Sequence, residues 1–131
     1  MLFEYSVVIP TLGRSEITET IKSVNENSIP PNEIIIVLPK KKTIQLDTNF
    51  DNLRIINSKT RGQVMQRLEG FKLANSEYIL QLDDDVTLDK FCVEKKLNSS
   101  LFNLSLILSL GLLLEDLSLF KIIKSNSFKD E

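Results

Sequence analysis

Residues 5–24 read YSVVIPTLGRSEITETIKSV, and this stretch predicts a strand, a loop and a helix in that order. Tyr5 to Ile9 is a short run rich in β-branched residues, and Pro10 stops it, as expected of a buried strand. The helix is predicted by three apolar residues at helical spacing, Ile17, Ile21 and Val24. The chain therefore opens as the first half of a strand–helix–strand unit.

The following sequence repeats this alternation. Three further apolar runs have the length of strands: Glu33 to Leu38, Leu53 to Ile56, and Tyr78 to Leu82. A second amphipathic helix is predicted over Thr60 to Ala74, with Val64, Leu68 and Phe71 on its apolar face. Strands that alternate with helices over short connections indicate a three-layer α/β/α fold with a mostly parallel sheet.

Two polar clusters follow strands of this predicted sheet. Pro10 to Arg14 comes directly after the first strand, and Asp83 to Asp85 comes directly after the fourth. In an open parallel sheet, ligands bind in the crevice beyond the carboxyl ends of the strands. We therefore expect the two clusters to meet at one edge of the sheet.

The composition restricts the chemistry that the chain can perform. Its 131 residues, 42% of them hydrophobic, suffice for one globular domain. The absence of histidine excludes catalysis by an imidazole and metal sites with imidazole ligands. A single cysteine, Cys92, fits a reducing, cytoplasmic compartment. The net charge of −2 argues against a nucleic-acid partner. The first ten residues do not have the pattern of a signal peptide.

The character of the sequence changes after about residue 98. Residues 101–114 consist almost entirely of leucine, serine and isoleucine, without a charge. Three interpretations stay open: a short membrane-spanning helix, a buried core element, or the remnant of a larger second half. We therefore divide the chain into an α/β domain, residues 1–98, and a C-terminal segment, residues 99–131, which could also contact a membrane surface or support association.

The aspartate triplet suggests a cation site. Three adjacent carboxylates repel one another, and oxygen ligands suit Mg²⁺ or Mn²⁺. The alternative is that the aspartates cap a helix that begins at Thr87 or Leu88. At the other cluster, Thr11, Gly13 and Arg14 offer an amide, a hydroxyl and a guanidinium to an anionic ligand, or form an ordinary turn.

The remaining polar side chains are expected to lie either on a solvated surface or in contact with an anionic ligand. Arg61, Gln63, Gln66 and Arg67 are expected mainly on a solvated helix face, with one arginine as a partner for phosphate or carboxylate. The lysines at 40–42 are expected in a solvated loop.

Three segments together resemble the nucleotide-sugar-binding half of family 2 glycosyltransferases of the GT-A fold. They are SVVIPTLGRSEITETIKSV, PPNEIIIV and RGQVMQRLEGFKLANSEYILQLDDDV, in the family's order and spacing, from residue 5 to about 96. Arg67 and Gly70 are similar to the Arg and Gly of the family's Arg-Asn-x-Gly signature, and LDDDV is similar to its DxD-type metal motif.

The resemblance implies a metal-dependent transfer of a sugar from a nucleotide-diphospho-sugar to a saccharide, lipid or protein acceptor. It implies that Pro10, Thr11 and Arg14 shape the nucleotide pocket and that Arg67 approaches the nucleotide or its phosphates. Asp83 and Asp84 would face the ribose and the sugar, and Asp85 would coordinate Mg²⁺ or Mn²⁺ at the diphosphate. A peripheral position on the cytoplasmic membrane face is expected through the C-terminal segment.

The sequence departs from the family's pattern at three places. The second strand continues as Leu38, Pro39 and Lys40 where the family has an acidic loop that reads the base, and Leu68 replaces the Asn of the helix signature. Glu115 and Asp116 are similar to the family's catalytic pair, with Asp116 as the base, but follow Asp85 by only about thirty residues. The chain is therefore interpreted as a short or truncated form. The rival hypotheses are an inactive nucleotide-sugar-binding remnant and a nucleotidyltransferase on a related scaffold.

Overall fold

The computed structural model describes residues 3–46, 49–98 and 121–124. These residues form five strands and three helices: β1 (Tyr5–Pro10), α1 (Ile17–Asn25), β2 (Glu33–Leu38), β3 (Leu53–Asn57), α2 (Gln63–Leu73), β4 (Tyr78–Gln81), α3 (Cys92–Asn98) and β5 (Lys121–Lys124). Within this part of the chain, no helix has the length and apolar character needed to cross a membrane.

The strands form one sheet in the order β3-β2-β1-β4-β5. The first four strands are parallel, and β5 pairs antiparallel with β4. Strand β1 lies at the centre, where the order reverses, because the chain leaves it toward β2 on one side and later returns to β4 on the other. The carboxyl ends of β1 and β4 therefore flank the point at which such sheets bind ligands.

The two faces of the sheet are covered by different helices. Alternate residues of β1 point to opposite faces. Val7 packs in one cluster with Ile21 of α1, and Val8 packs in the other with Phe71 of α2. The three-layer α/β/α architecture predicted from the sequence is confirmed.

The buried face of α2 differs from the prediction. Val64 is 71% exposed, and the residues that face the sheet are Gln66, Gly70 and Phe71. Gly70 lies so close to the sheet that a Cβ atom there would stand 2.5 Å from Cγ1 of Val8. The helix also begins at Gln63 rather than Thr60. The apolar spacing indicated the helix correctly but misplaced its contact with the sheet by part of a turn.

The helix after the aspartates also begins later than predicted. It starts at Cys92 rather than at Thr87 or Leu88, so Asp83 to Asp85 do not cap it. Residues 101–114, Glu115 and Asp116 lie outside the described residues. From the predicted C-terminal segment, the structure describes Lys121–Lys124, which extends the sheet beside β4.

A buried carboxylate fastens the amino-terminal edge of the sheet. Glu33, at the start of β2, accepts a 2.7 Å hydrogen bond from the Ser6 hydroxyl and a 2.6 Å hydrogen bond from the Asn75 backbone N–H. Arg54 of β3 lies 3.2 Å from its other oxygen. One side chain thereby joins β1, β2, β3 and the loop before β4, at the edge opposite the polar clusters.

Candidate functional site

The loops at the carboxyl-terminal edge begin in register with the sheet. The backbone N–H of Thr11 donates to Val37 O at 3.1 Å, and that of Leu82 donates to Val8 O at 3.0 Å. Each loop therefore leaves its strand only after one further ladder hydrogen bond. This regular geometry brings the loop after β1 beside the loop after β4, as the sequence predicted.

Thr11 and Asp84 join these two loops directly. The Thr11 hydroxyl donates to Asp84 Oδ2 at 2.7 Å and accepts from the Gly13 backbone N–H at 2.9 Å. Thr20 of α1 donates to the backbone oxygen of Asp84 at 3.0 Å. The Asp84 side chain is only 13% exposed. Asp84 therefore fixes the position of the acidic loop against β1 and α1.

The other two aspartates lie beside arginines. Asp83 Oδ1 is 3.7 Å from a terminal nitrogen of Arg67, and Asp85 Oδ2 is 4.0 Å from a terminal nitrogen of Arg14. Arg14 is also 4.0 Å from Asp84. More than half of the Asp85 side chain is exposed, at 55%. Of the three carboxylates, Asp85 is therefore the most accessible to a ligand or a cation.

Helix α2 contributes a residue that the sequence interpretation missed. Gln66 was expected on a solvated face, but it is buried and donates from Nε2 to Thr11 O at 3.0 Å and to Val37 O at 2.7 Å. It thereby satisfies carbonyl groups where β1 and β2 end. Its neighbour Arg67 has a buried Nε without a hydrogen-bond partner among the described residues. Arg67 is the arginine that, as the family resemblance implies, would approach the nucleotide or its phosphates.

A cleft with a volume of about 980 Å³ opens over this edge of the sheet. Pro10, Thr11, Arg14 and Asp84 line it, as expected of a site formed by β1 and β4. Five lining side chains are cationic, Arg14, Lys40, Lys41, Lys59 and Arg61, whereas Asp84 is the one carboxylate among the lining residues described. The volume is at the upper end of that of small-molecule sites.

The lysines after β2 are exposed, as expected of a solvated loop, and they lie on a defined turn. The Lys42 N–H donates to Pro39 O at 3.1 Å, which closes a turn with Lys40 and Lys41 at its corners. Asn57, the last residue of β3, donates from Nδ2 to Pro39 O at 2.8 Å and to Lys42 O at 2.7 Å. We refer to Pro39–Lys42 as the lysine turn. In the sequence, the turn was indicated only by Pro39 and Lys40, which follow the second strand where the family has an acidic loop.

The predicted site residues thus fall into two groups. Pro10, Thr11, Arg14 and Asp84 line the cleft, and Asp85 forms an ion pair with Arg14. Asp83 and Arg67 pair with each other and are chain neighbours of the lining residues Asp84 and Gln66. Asp116, the predicted base, lies outside the described residues. Within the part of the chain that is described, no group of three or more acidic, histidine or cysteine side chains is arranged to hold a metal ion.

Comparison with known proteins places this site in context. The model of glycosyl transferase family 2 matches residues 6–100, which is more than half of the chain. No curated protein matches the sequence.

Two solved structures illustrate the similarity of fold. TarS from S. aureus, residues 1–349, has a TM-score of 0.52 and 24% identity, and covers 72% of this chain and 31% of its own. The mannosyltransferase PcManGT from Pyrobaculum calidifontis, solved with GDP-Man and Mn²⁺, has a TM-score of 0.54 and 16% identity, and covers 73% of this chain and 32% of its own. TarS 1–349 has also been solved with UDP, with 24% identity and the same coverage. The chain therefore spans about a third of the length of these proteins.

Proposed function

Because this chain belongs to glycosyl transferase family 2, we propose that its cleft binds a nucleotide-diphospho-sugar as the donor for transfer to an acceptor. The α/β sheet with its central β1 is that of GT-A glycosyltransferases. The observation that carries the proposal is the hydrogen bond between Thr11 and Asp84, which joins the two motif loops at the mouth of one large cleft.

The residues at the cleft suggest a division of roles. Pro10 and Thr11 form the wall of the cleft on the β1 side, where the nucleotide would pass. Asp84 already accepts a hydrogen bond from Thr11 and is mostly buried, so its role is to position the loop rather than to contact the sugar. The Arg67 side chain is partly exposed beside Asp83, and its terminal guanidinium nitrogens suit a contact with a phosphate or ribose oxygen.

The residues also fit a divalent cation at Asp85. Its carboxylate is more than half exposed and lies 4.0 Å from Arg14, a separation that leaves its oxygens accessible. Mg²⁺ and Mn²⁺ in such sites are held by one or two carboxylates together with substrate phosphates. A bound cation would act as a Lewis acid that stabilises negative charge on the leaving diphosphate. Mn²⁺ accompanies GDP-Man in the structure of PcManGT.

The second candidate function is donor binding without transfer. On the proposed function the described residues form the donor side of the site, and none of them was assigned as the catalytic base. Transfer additionally requires an acceptor site and a group that removes the proton from the acceptor hydroxyl. A sugar-transfer assay separates the two candidates: release of a nucleoside diphosphate only in the presence of an acceptor indicates transfer.

Calorimetry tests donor binding directly. The chain is titrated with UDP, GDP, CDP and TDP, with Mn²⁺ and with EDTA. We expect at least one nucleotide to bind, and we expect Mn²⁺ to strengthen its binding. Asp85→Asn is expected to remove the Mn²⁺ effect, and Asp51→Asn, an exposed charge-matched control on the loop before β3, is expected to preserve it. If no nucleotide binds in Mn²⁺, the donor-site proposal is wrong.

A further inference from the structure

The cleft has an excess of positive charge on the side formed by β2 and β3. Lys40 and Lys41 lie on the lysine turn, and Lys59 and Arg61 follow β3. Among the described carboxylates, none lies within 4.0 Å of the charged side-chain nitrogens of these four cations, whereas Arg14 and Arg67 each have an aspartate partner. The Glu69 carboxylate accepts hydrogen bonds at 3.1 Å from the backbone N–H of Lys59. Clustered like charges repel one another, so this side of the cleft favours an anionic ligand.

The lysine turn is held in place before any ligand arrives. Asn57 donates a hydrogen bond to a carbonyl at each end of the turn, so β3 fixes the turn that follows β2. Lys41 has a φ of 65°, in the left-handed region that a lysine seldom adopts. Non-glycine residues in this conformation cluster at ligand-binding sites. A pre-formed turn also lowers the entropy cost of ordering its backbone on binding.

One side chain of this turn, that of Lys42, reaches across to the loop after β1. Cε of Lys42 lies 3.1 Å from the position that a Cβ atom on Gly13 would occupy. Lys42 therefore spans the distance from the β2 loop to the Thr11–Arg14 loop. Lys40 and Lys41 have the same length and start from the same turn, at the cleft lining. Their ammonium groups can thus approach a phosphate that lies over the end of β1.

We propose that Lys40 and Lys41, assisted by Lys59 and Arg61, bind the diphosphate of the nucleotide donor directly. A nucleoside diphosphate would then retain affinity for the chain when no divalent cation is present. This inference rests on the proposed function, because it assumes that the donor occupies the cleft. Lysine binds phosphate as a point charge, and exposed contacts of this kind weaken as the salt concentration rises.

The test compares phosphate binding with and without metal. Titrations of the full chain use inorganic pyrophosphate, the nucleoside diphosphate that binds most tightly among UDP, GDP, CDP and TDP, and the matching nucleoside. The variant is Lys40→Gln/Lys41→Gln. The control, Lys22→Gln/Lys72→Gln, makes the same change in net charge on the exposed surfaces of α1 and α2.

We expect EDTA to weaken diphosphate binding by the wild-type chain less than about tenfold. In EDTA, the Lys40→Gln/Lys41→Gln variant should bind the diphosphate and pyrophosphate at least about fivefold more weakly than wild type, from two lost ion contacts. The variant should bind the nucleoside as tightly as wild type does. The control should bind the diphosphate, pyrophosphate and the nucleoside as tightly as wild type does. Raising the salt concentration should reduce metal-free binding by wild type more than by the variant.

Each contrary result has a distinct meaning. Loss of all wild-type binding in EDTA, with binding retained in Mn²⁺, overturns direct binding by the lysines and leaves the donor site intact. Equal affinities of the variant and the control also overturn it. A variant that weakens the nucleoside as much as the diphosphate shows that the lysines contact the base, which contradicts the proposal. Absence of nucleotide binding under every condition overturns the proposed function as well.

Discussion

Thr11 and Asp84 are 73 positions apart in the sequence, yet the hydroxyl of one donates to the carboxylate of the other at 2.7 Å. This hydrogen bond crosses from the loop after β1 to the loop after β4. It therefore connects the two motifs on which the proposed donor site depends, and removing it tests whether they act as one unit.

Replacing Thr11 with valine keeps the shape of the side chain but removes the hydroxyl. Because the mostly buried Asp84 carboxylate then loses a donor, we expect the free energy of unfolding to fall by about 1–3 kcal/mol. Nucleotide affinity should fall as well, since the acidic loop is no longer fixed. Urea denaturation and calorimetry measure the two effects. Thr18→Val, on α1 and outside the cleft lining, serves as the control. Unchanged stability and affinity would show that the hydrogen bond contributes nothing to the site.

Gly70 is required because α2 lies in direct contact with β1 and β2. A Cβ atom at this position would be 2.5 Å from Val8 Cγ1 and 3.1 Å from Val37 Cγ2. We expect Gly70→Ala to lower the free energy of unfolding by about 1–3 kcal/mol, despite the better helix propensity of alanine. Combining it with Val8→Ala should cost less than the sum of the single changes, by about 1 kcal/mol. Additive losses in urea denaturation would contradict the contact.

Glu33 stabilises the amino-terminal edge of the sheet through three partners. Glu33→Gln removes the charge and one acceptor from a buried position that Ser6, Asn75 and Arg54 surround. We expect a loss of about 2–3 kcal/mol in the free energy of unfolding, measured with urea. Nucleotide affinity of the folded protein should be unchanged, because this edge lies opposite the cleft. The exposed Glu26→Gln should be within about 0.5 kcal/mol of wild type. A similar small effect at Glu33 would refute its role.

The thiol of Cys92 should react slowly. Burial raises its pKa, and the nearby Asp89 carboxylate raises the pKa further, against a smaller lowering effect of Lys96 and Lys95. Only the thiolate reacts with disulfide reagents, so at pH 8 the folded chain should react more slowly than the urea-unfolded chain. Because the pKa of Cys92 is raised, the rate of thiol modification should keep rising at pH values above the ordinary pKa of a thiol.

Substitution separates this electrostatic effect from simple access to the thiol. Asp89→Asn removes a charge that raises the pKa of Cys92, so the folded protein should react faster at pH 8. Asp51→Asn, outside the surroundings of the thiol, should leave the rate unchanged. A rate for the Asp89→Asn protein equal to that of wild type would assign the slow reaction to burial alone.

The first four strands were predictable because each of them is a short apolar run with a proline or a polar residue at its end, whereas β5 was not predicted. β2 is the clearest case, since all six of its residues are buried. The meeting of the Thr11 loop and the Asp83–Asp85 loop also followed from the sequence, because the parallel topology places both at the same edge. Local pattern and a general topological rule were sufficient for these features.

The features that were missed depend on contacts between distant residues. Helical spacing favoured Val64 as a core residue, but the close approach at Gly70 turns the helix so that Gln66 faces the sheet. A glutamine is buried there because two strand-end carbonyls accept its hydrogen bonds. The lysines at 40–42 are exposed as expected, but the hydrogen bonds that hold their turn were not predictable, because they come from Asn57 of another strand. No local pattern carries this information.

The two hydrogen bonds of Gln66 have a consequence for how the cleft accommodates a ligand. They fasten α2 to the ends of β1 and β2, so the helix cannot tilt away from the floor of the cleft without breaking both. The long cationic side chains at the rim are exposed and can change rotamer freely. Adaptation to different ligands therefore falls to the rim, and the entropy lost on binding is mainly that of lysine and arginine side chains. The base of the cleft is therefore fixed, whereas the lysine and arginine side chains at its rim can rearrange around a ligand.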